Sequence, residues 1–204
     1  METADLWVLF VCETDERNLC DQKVIEVLLQ RRHGIKSMRK TMLQISSEGR
    51  IDPASKLLFV DEREIGFVYY RTGYQADHYM NSAEWDETKW QTREMLECSM
   101  AIKCPSIDLH LATFKKFQQS FSDESLLRQV SGSDGTTHAL KHLFKGIWSL
   151  EDLCKEGAEV NSVVEQALEN PHEFVLKPQK EGGGNNFFDQ ELKENLLRAK
   201  AANG

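Results

Sequence analysis

The sequence predicts an α/β fold built on a small, mainly parallel sheet with flanking helices. Three observations carry this. The continuous apolar run Leu6 to Cys12 (LWVLFVC) has the character of a strand buried on both faces. The segment that follows, CDQKVIEVLLQRRHG, has helical spacing, with Asp21 as cap, Val24, Ile25, Val27, Leu28 and Leu29 as apolar face, and Gly34 as stop. Ile35 to Thr41 then reads as a second strand. The order β-α-β argues for a parallel pair.

Further along, Thr41 to Ser46 predicts a short helix. Leu57 to Val60 and Glu64 to Arg71 predict two strands joined by the polar turn Asp61 to Arg63. Trp85 to Cys98 predicts a helix carrying Trp90, Met95 and Leu96, and Pro105 breaks the chain. Ile107 to Phe121 predicts one helix with Leu109, Phe114 and Phe117 spaced for burial. Gln129 to Thr137 (QVSGSDGTT) reads as a flexible loop, and His138 to Leu150 and Asn161 to Glu169 as helices. Phe174 to Lys177 reads as a strand, and Asp189 to Ala201 as an amphipathic helix.

Composition narrows the function. The net charge of -8 repels phosphate polymers and anionic membranes, which argues against nucleic-acid and membrane partners. The five cysteines form no CxxC pair, so reduced thiols in a cytoplasmic protein are expected. No segment is long enough to span a bilayer. His138 and His142 share helical spacing suited to a metal, but no third ligand stands at a recognisable distance, so they read as surface histidines.

The segment Phe174 to Phe188 (FVLKPQKEGGGNNFF) is the feature that points most directly to chemistry. Gly182, Gly183 and Gly184 let backbone amides approach a ligand, and successive amides can hold phosphate oxygens. Lys177 offers a point charge to phosphate, and Glu181 a hard oxygen for magnesium. Asn185 and Asn186 add polar groups. The spacings of a P-loop and of a dinucleotide fingerprint are absent.

These residues carry a resemblance. KPQKEGGGNN resembles the glycine-rich ATP loop of eukaryotic glutathione synthetases, which are ATP-grasp ligases. Glu16-Arg17-Asn18 followed by Asp21-Gln22 resembles the family's ERN-x-x-DQ segment, and Tyr70-Arg71-Thr72-Gly73-Tyr74 its FRDGY segment. Ala101 to Pro105 (AIKCP) is similar to its AKCP stretch, and Lys115-Lys116-Phe117-Gln118-Gln119 to its KKVQQ. The five segments occur in the family's order. The departures are Thr72 for an aspartate, Lys180 for an arginine, Phe188 for a tyrosine near the nucleotide, and an insertion around Asn81 to Glu87.

The resemblance implies a substrate-binding α/β module over residues 1–110. It implies a helical segment and the start of an ATP-grasp domain over 111–204, with the glycine-rich loop at 177–188. Glu16, Arg17, Asn18, Gln22, Arg71, Thr72, Gly73 and Tyr74 would bind γ-glutamylcysteine or glutathione, with Arg71 pairing a substrate carboxylate. Lys115, Lys177, Pro178, Gln179, Lys180, Glu181, Gly182, Gly183, Gly184, Asn185, Asn186 and Phe188 would contact ATP, and Glu181 would bind Mg2+. The reaction implied is ATP-dependent ligation of γ-glutamylcysteine and glycine through an acyl phosphate, in a homodimer. The family chain is over twice this length, so a central portion of the enzyme is expected. The alternative is a truncated relative that binds glutathione or γ-glutamyl peptides without catalysis. Taken singly, Glu16 to Gln22 fit a capped helix start, Arg71 and Tyr74 a strand end, and Lys115-Lys116 a solvated helix face.

Overall fold

The structure is a computed structural model and describes residues 5–16, 18–144, 146–179 and 183–203. It divides into two compact units, residues 1–110 and 111–204. In unit 1, β1 (Trp7–Val11) is followed by α1 (Leu19–His33), β2 (Lys36–Lys40), α2 (Met42–Glu48), β3 (Gly49–Ile51), β4 (Leu58–Val60) and β5 (Arg63–Tyr70). A hairpin of β6 (Met80–Asn81) and β7 (Glu84–Trp85) leads into α3 (Glu87–Glu97) and β8 (Ile102–Cys104).

The sheet runs β2-β1-β5-β4-β3, with β8 also paired to β5. β1 is parallel to β2 and β5, and β5 is parallel to β8. The β4 pairings are antiparallel. β5 serves β4 with its first residues and β8 with Phe67 to Tyr69. A register shift where Trp7 faces Ile65 and Val8 faces Phe67 leaves Gly66 as the extra residue.

Local chemistry explains the helix ends. α2 starts at a reciprocal capping box, Thr41 with Gln44. α1 ends at Gly34 in the left-handed conformation, after Arg31 and Arg32, whose charge suits a helix C-terminus. Its N-cap is Asn18, and Asp21 stands in the first turn. The expected apolar face of α1 is not buried: Val24, Ile25, Val27 and Leu28 are exposed. The core of unit 1 lies against α2 and α3 instead, with Leu9, Val11, Ile45, Leu58, Val60, Val68 and Leu96 fully enclosed.

The chain beyond β8 departs further from its pattern. The expected helix over residues 107–121 is two short helices, α4 (Ile107–Ala112) and α5 (Lys115–Ser120), and Leu109 and Phe117 are exposed. The expected loop over 129–137 is mostly helical. α6 (Glu124–Ser131) is capped by Asp123 and closed by left-handed Gly132, and α7 (Asp134–Lys141) is capped by Ser133. Within that segment Gly132 and Ser133 are the caps between the two helices. α7 ends well short of Leu150, and a 3-10 turn covers Leu150–Asp152. α8 (Glu159–Glu169) and α9 (Asp189–Asn203) enclose a second core around Val160, Val164, Ala167, Leu192 and Leu196. The predicted strand Phe174 to Lys177 shrinks to one bridge between Leu176 and Phe187.

The enclosure of Ile45 predicts a loss of about 2–5 kcal/mol on Ile45→Ala, the usual cost of truncating a core aliphatic. Leu28→Ala on exposed α1 should change stability by less than about 0.5 kcal/mol. Urea denaturation of both variants measures the difference.

Candidate functional site

The first site forms where parallel strands end together. Val11 pairs with Tyr70, and the backbone N–H of Arg71 donates to the Val11 carbonyl at 2.8 Å. Cys12 likewise donates to the Lys40 carbonyl at 3.0 Å. The chain leaving β1 and the chain leaving β5 are therefore held side by side at the carboxyl ends of their strands. That is where open α/β sheets bind ligands.

The loop after β5 is fixed from several sides. Thr72 is fully buried, and its hydroxyl donates to the Glu13 carboxylate. Gly73 has φ +85°, and a Cβ there would stand 2.8 Å from both Met42 Cε and the Tyr79 hydroxyl, so only glycine fits. Its N–H donates to His78 Nδ1 at 2.8 Å. Its carbonyl accepts from the Tyr79 hydroxyl at 3.1 Å and from Arg93 Nη1 at 3.3 Å. Arg93 is itself buried. Its Nε donates to Glu97 at 2.7 Å, and its guanidinium lies 3.9 Å from the Tyr70 ring centre. The Tyr70 hydroxyl donates to the same Glu97 oxygen at 2.9 Å.

Arg71 reaches across to the other loop. Its Nη2 lies 3.1 Å from Asp21 Oδ2, and its Nη1 donates to the Tyr69 hydroxyl at 3.4 Å. Arg71 Nε and Glu16 Oε2 are buried without a hydrogen-bond partner among the described residues. The other Glu16 oxygen accepts from the Asn18 N–H at 3.0 Å. Burial pushes the Tyr74 hydroxyl up to about 12, partly offset by Arg71, while Glu16 and Cys12 push it further up. Burial likewise raises the Cys12 thiol to about 11.

The structure thus brings Glu16, Asn18 and Gln22 to the same strand ends as Arg71, Thr72, Gly73 and Tyr74; Arg17 lies outside the described residues. Glu13, His78, Tyr79 and Arg93 join the site with no motif in the sequence to mark them. Arg93 and Glu97 stand four apart on α3, a spacing at which helix side chains pair.

The second site lies in unit 2. A cavity of about 850 Å³ is lined by Lys115, Lys177, Pro178 and Gln179, together with Trp148, Phe174 and Phe187. Two backbone hydrogen bonds between Leu176 and Phe187, of 3.1 and 2.9 Å, close the base of the glycine-rich segment. A 3-10 turn spans Gly183–Asn185, and Phe188 is about half exposed. A Cβ at Gly184 would meet nothing within 4 Å, so the protein itself does not demand glycine there. Asn185 and Asn186 follow in the same segment. Lys180, Glu181 and Gly182 lie outside the described residues. Lys116 is engaged by Glu151. Among the described residues, no group of three or more His, Cys, Asp or Glu side chains could hold a metal ion, and no helix is long and apolar enough to cross a membrane.

A family model described as eukaryotic glutathione synthase matches residues 6–112. Glutathione synthetase of Xenopus laevis is 37% identical over 199 residues, covering 97% of this chain and 40% of the relative. The Homo sapiens protein of that name is 38% identical, covering 95% and 38%. The chloroplastic glutathione synthetase of Arabidopsis thaliana is 35% identical, covering 94% and 33%. The chain therefore spans about a third to two-fifths of the length of these relatives. Among solved structures, a glutathione synthetase-like effector from Globodera pallida in apo form shares the fold. Its TM-score is 0.51 at 20% identity, covering 97% of this chain and 38% of that one.

The raised Cys12 thiol gives a pH prediction. The folded state holds the proton more tightly than the unfolded chain, whose thiol titrates near 9. Its contribution to stability is complete below pH 9 and is lost as pH rises through about 11. The urea midpoint should fall across that window, and Cys12→Ala should flatten the fall there while leaving the later one that the raised hydroxyls of Tyr70, Tyr74 and Tyr79 produce.

Proposed function

The chain belongs to the eukaryotic glutathione synthase family, and we propose that its two sites serve the ATP-dependent ligation of γ-glutamylcysteine and glycine. One observation carries this reading. Two segments distant in sequence, one holding Glu16, Asn18 and Gln22 and the other Arg71 to Tyr74, meet at the ends of paired parallel strands. They do so inside the region that the family model matches.

Unit 1 would bind the peptide. Arg71 has the fork that matches a carboxylate, and its unpartnered, buried Nε gains a hydrogen bond when a ligand oxygen arrives. Thr72 and Gly73 would hold the loop in shape, with Gly73 fixed by Tyr79 and Arg93. Tyr74 would add a protonated hydroxyl beside Arg71 at neutral pH.

Unit 2 would bind ATP. Its cavity falls within the usual range for small-molecule sites, about 300–1,000 Å³. Lys115 and Lys177 would neutralise phosphate charge at its rim, and the apolar wall would take the base. Residues 177–188 would form the loop over the triphosphate. Mg2+ is usually held by one or two carboxylates together with substrate phosphates, so Glu181 and the nucleotide would share it.

In the reaction, the cysteinyl carboxylate of γ-glutamylcysteine attacks the γ-phosphorus of ATP, and ADP leaves. The glycine amine then attacks the acyl carbon, phosphate departs, and the amine loses a proton as the peptide bond forms. Orientation and charge neutralisation supply most of the acceleration. We place this chemistry in the cytoplasm and in a homodimer. A second reading, a relative that binds glutathione or a γ-glutamyl peptide without forming a bond, rests on the same geometry in unit 1 and predicts no turnover.

Phosphate release from ATP in the presence of γ-glutamylcysteine and glycine separates the readings. Turnover supports the ligase. Its absence, with glutathione still raising the melting temperature, supports the binder. Lys177→Met should weaken ATP binding by about tenfold or more, the usual cost of a lost charged hydrogen bond, and leave glutathione binding unchanged. If neither ligand stabilises the protein, both readings fail.

A further inference from the structure

Helix α1 has an unusual pattern of burial. Of its fifteen residues, Gln22 is the one that is buried, while Val24, Ile25, Val27 and Leu28 are exposed. Packing alone favours the reverse, because a buried amide costs free energy unless its hydrogen bonds are made. A glutamine held inside while four aliphatic neighbours face out has a task other than filling the core.

The surroundings of Gln22 account for one end of its amide. Arg39 Nη2, from β2, donates to Gln22 Oε1 at 2.6 Å. The Cys12 thiol, kept protonated by burial, donates to the same oxygen at 3.6 Å. Arg39 is fixed in turn, because its Nη1 donates to Glu26 Oε1 at 2.8 Å, and both side chains are less than a fifth exposed. A guanidinium has donors and no acceptor, so it dictates which end of the carboxamide faces it. The oxygen is committed. Gln22 Nε2 is left buried with no hydrogen-bond partner among the described residues.

We propose that Arg39 is a positioning residue for the bound γ-glutamyl peptide: it turns the Gln22 carboxamide so that Nε2–H is free for an acceptor oxygen of the ligand, a carboxylate or an amide carbonyl. Glu26 holds Arg39 in the required geometry. Lysine replaces Arg39 only in part, because the role needs two donors in one plane, one to Glu26 and one to Gln22, and an ammonium lacks that fork. The inference rests on the assignment of the peptide to unit 1 made above.

The test is calorimetric titration of glutathione into the wild-type chain, Gln22→Leu, Arg39→Met, Arg39→Lys and the double variant Gln22→Leu/Arg39→Met. Arg39→Met should weaken glutathione by ~10- to 100-fold and leave ATP affinity unchanged. Arg39→Lys should recover part of the loss. The double variant should be no weaker than Gln22→Leu alone, since Arg39 acts through that residue. The side-chain amide signals of Gln22 in nitrogen–proton NMR spectra should shift on adding glutathione to wild type and stay in place in Arg39→Met, a change that a merely structural role would not produce. If Arg39→Met does not fold, Glu26→Gln and Arg39→Lys carry the same comparison. Wild-type glutathione affinity in the Arg39 variants, or additive losses in the double variant, overturns the inference while the peptide assignment stands. No binding by the wild-type chain overturns the peptide assignment and this inference with it, and that result is seen before any substitution is made.

Discussion

The parallel pairing of β1 with β5 is the constraint on which unit 1 depends. Its register sets Val11 beside Tyr70, and the Arg71 N–H extends the ladder by one bond to the Val11 carbonyl. Both strands therefore give out at the same level, and the loops that follow start from neighbouring points. The salt bridge between Arg71 and Asp21 and the hydrogen bond from Thr72 to Glu13 both need that starting point. A slip of one residue would turn Leu9, Val11, Val68 and Tyr70 away from the core and separate the two loops.

Around this frame the protein spends polar groups in its interior. Arg93 is buried against a half-buried Glu97, and desolvating that guanidinium is costly. They regain part of that cost by holding the Tyr70 hydroxyl and the Gly73 carbonyl. Arg39, Glu26 and Gln22 form a second cluster on the other side of β1. Neither cluster is needed to close a core already supplied by Ile45, Leu58, Val68 and Leu96. Both fix the direction of backbone and side chains at the strand ends, the kind of support that sharp ligand geometry requires.

Much of the frame was legible in order. The apolar run before α1 and the cap at Thr41 are local signals, and β1, β2, α2, β4, β5, α8 and α9 follow from them closely. The errors have specific causes. Ser133 reads as a loop residue because a cap and a turn use the same side chains. The apolar residues of α1 form a face by their spacing and still lie exposed, because periodicity reports a face, not what covers it. β3 and β8 are three residues each, too short to carry a period. Arg93 looks solvated in its polar stretch until its burial is known, and Glu13 carries no local signal because its partner Thr72 lies 59 residues away.

The sequence by itself determined the residue types at the candidate sites, the order of its motifs and the α/β character of the first unit. These are properties of neighbours along the chain, and local chemistry encodes them. Only the tertiary structure decided that Arg71 faces Asp21, that Lys115 and Lys177 line one cavity, and that Gln22 is buried under Arg39. Those contacts join residues far apart in the chain. They exist because strand pairing and core burial, acting together, leave one arrangement in which the apolar residues are enclosed and the polar ones are paired.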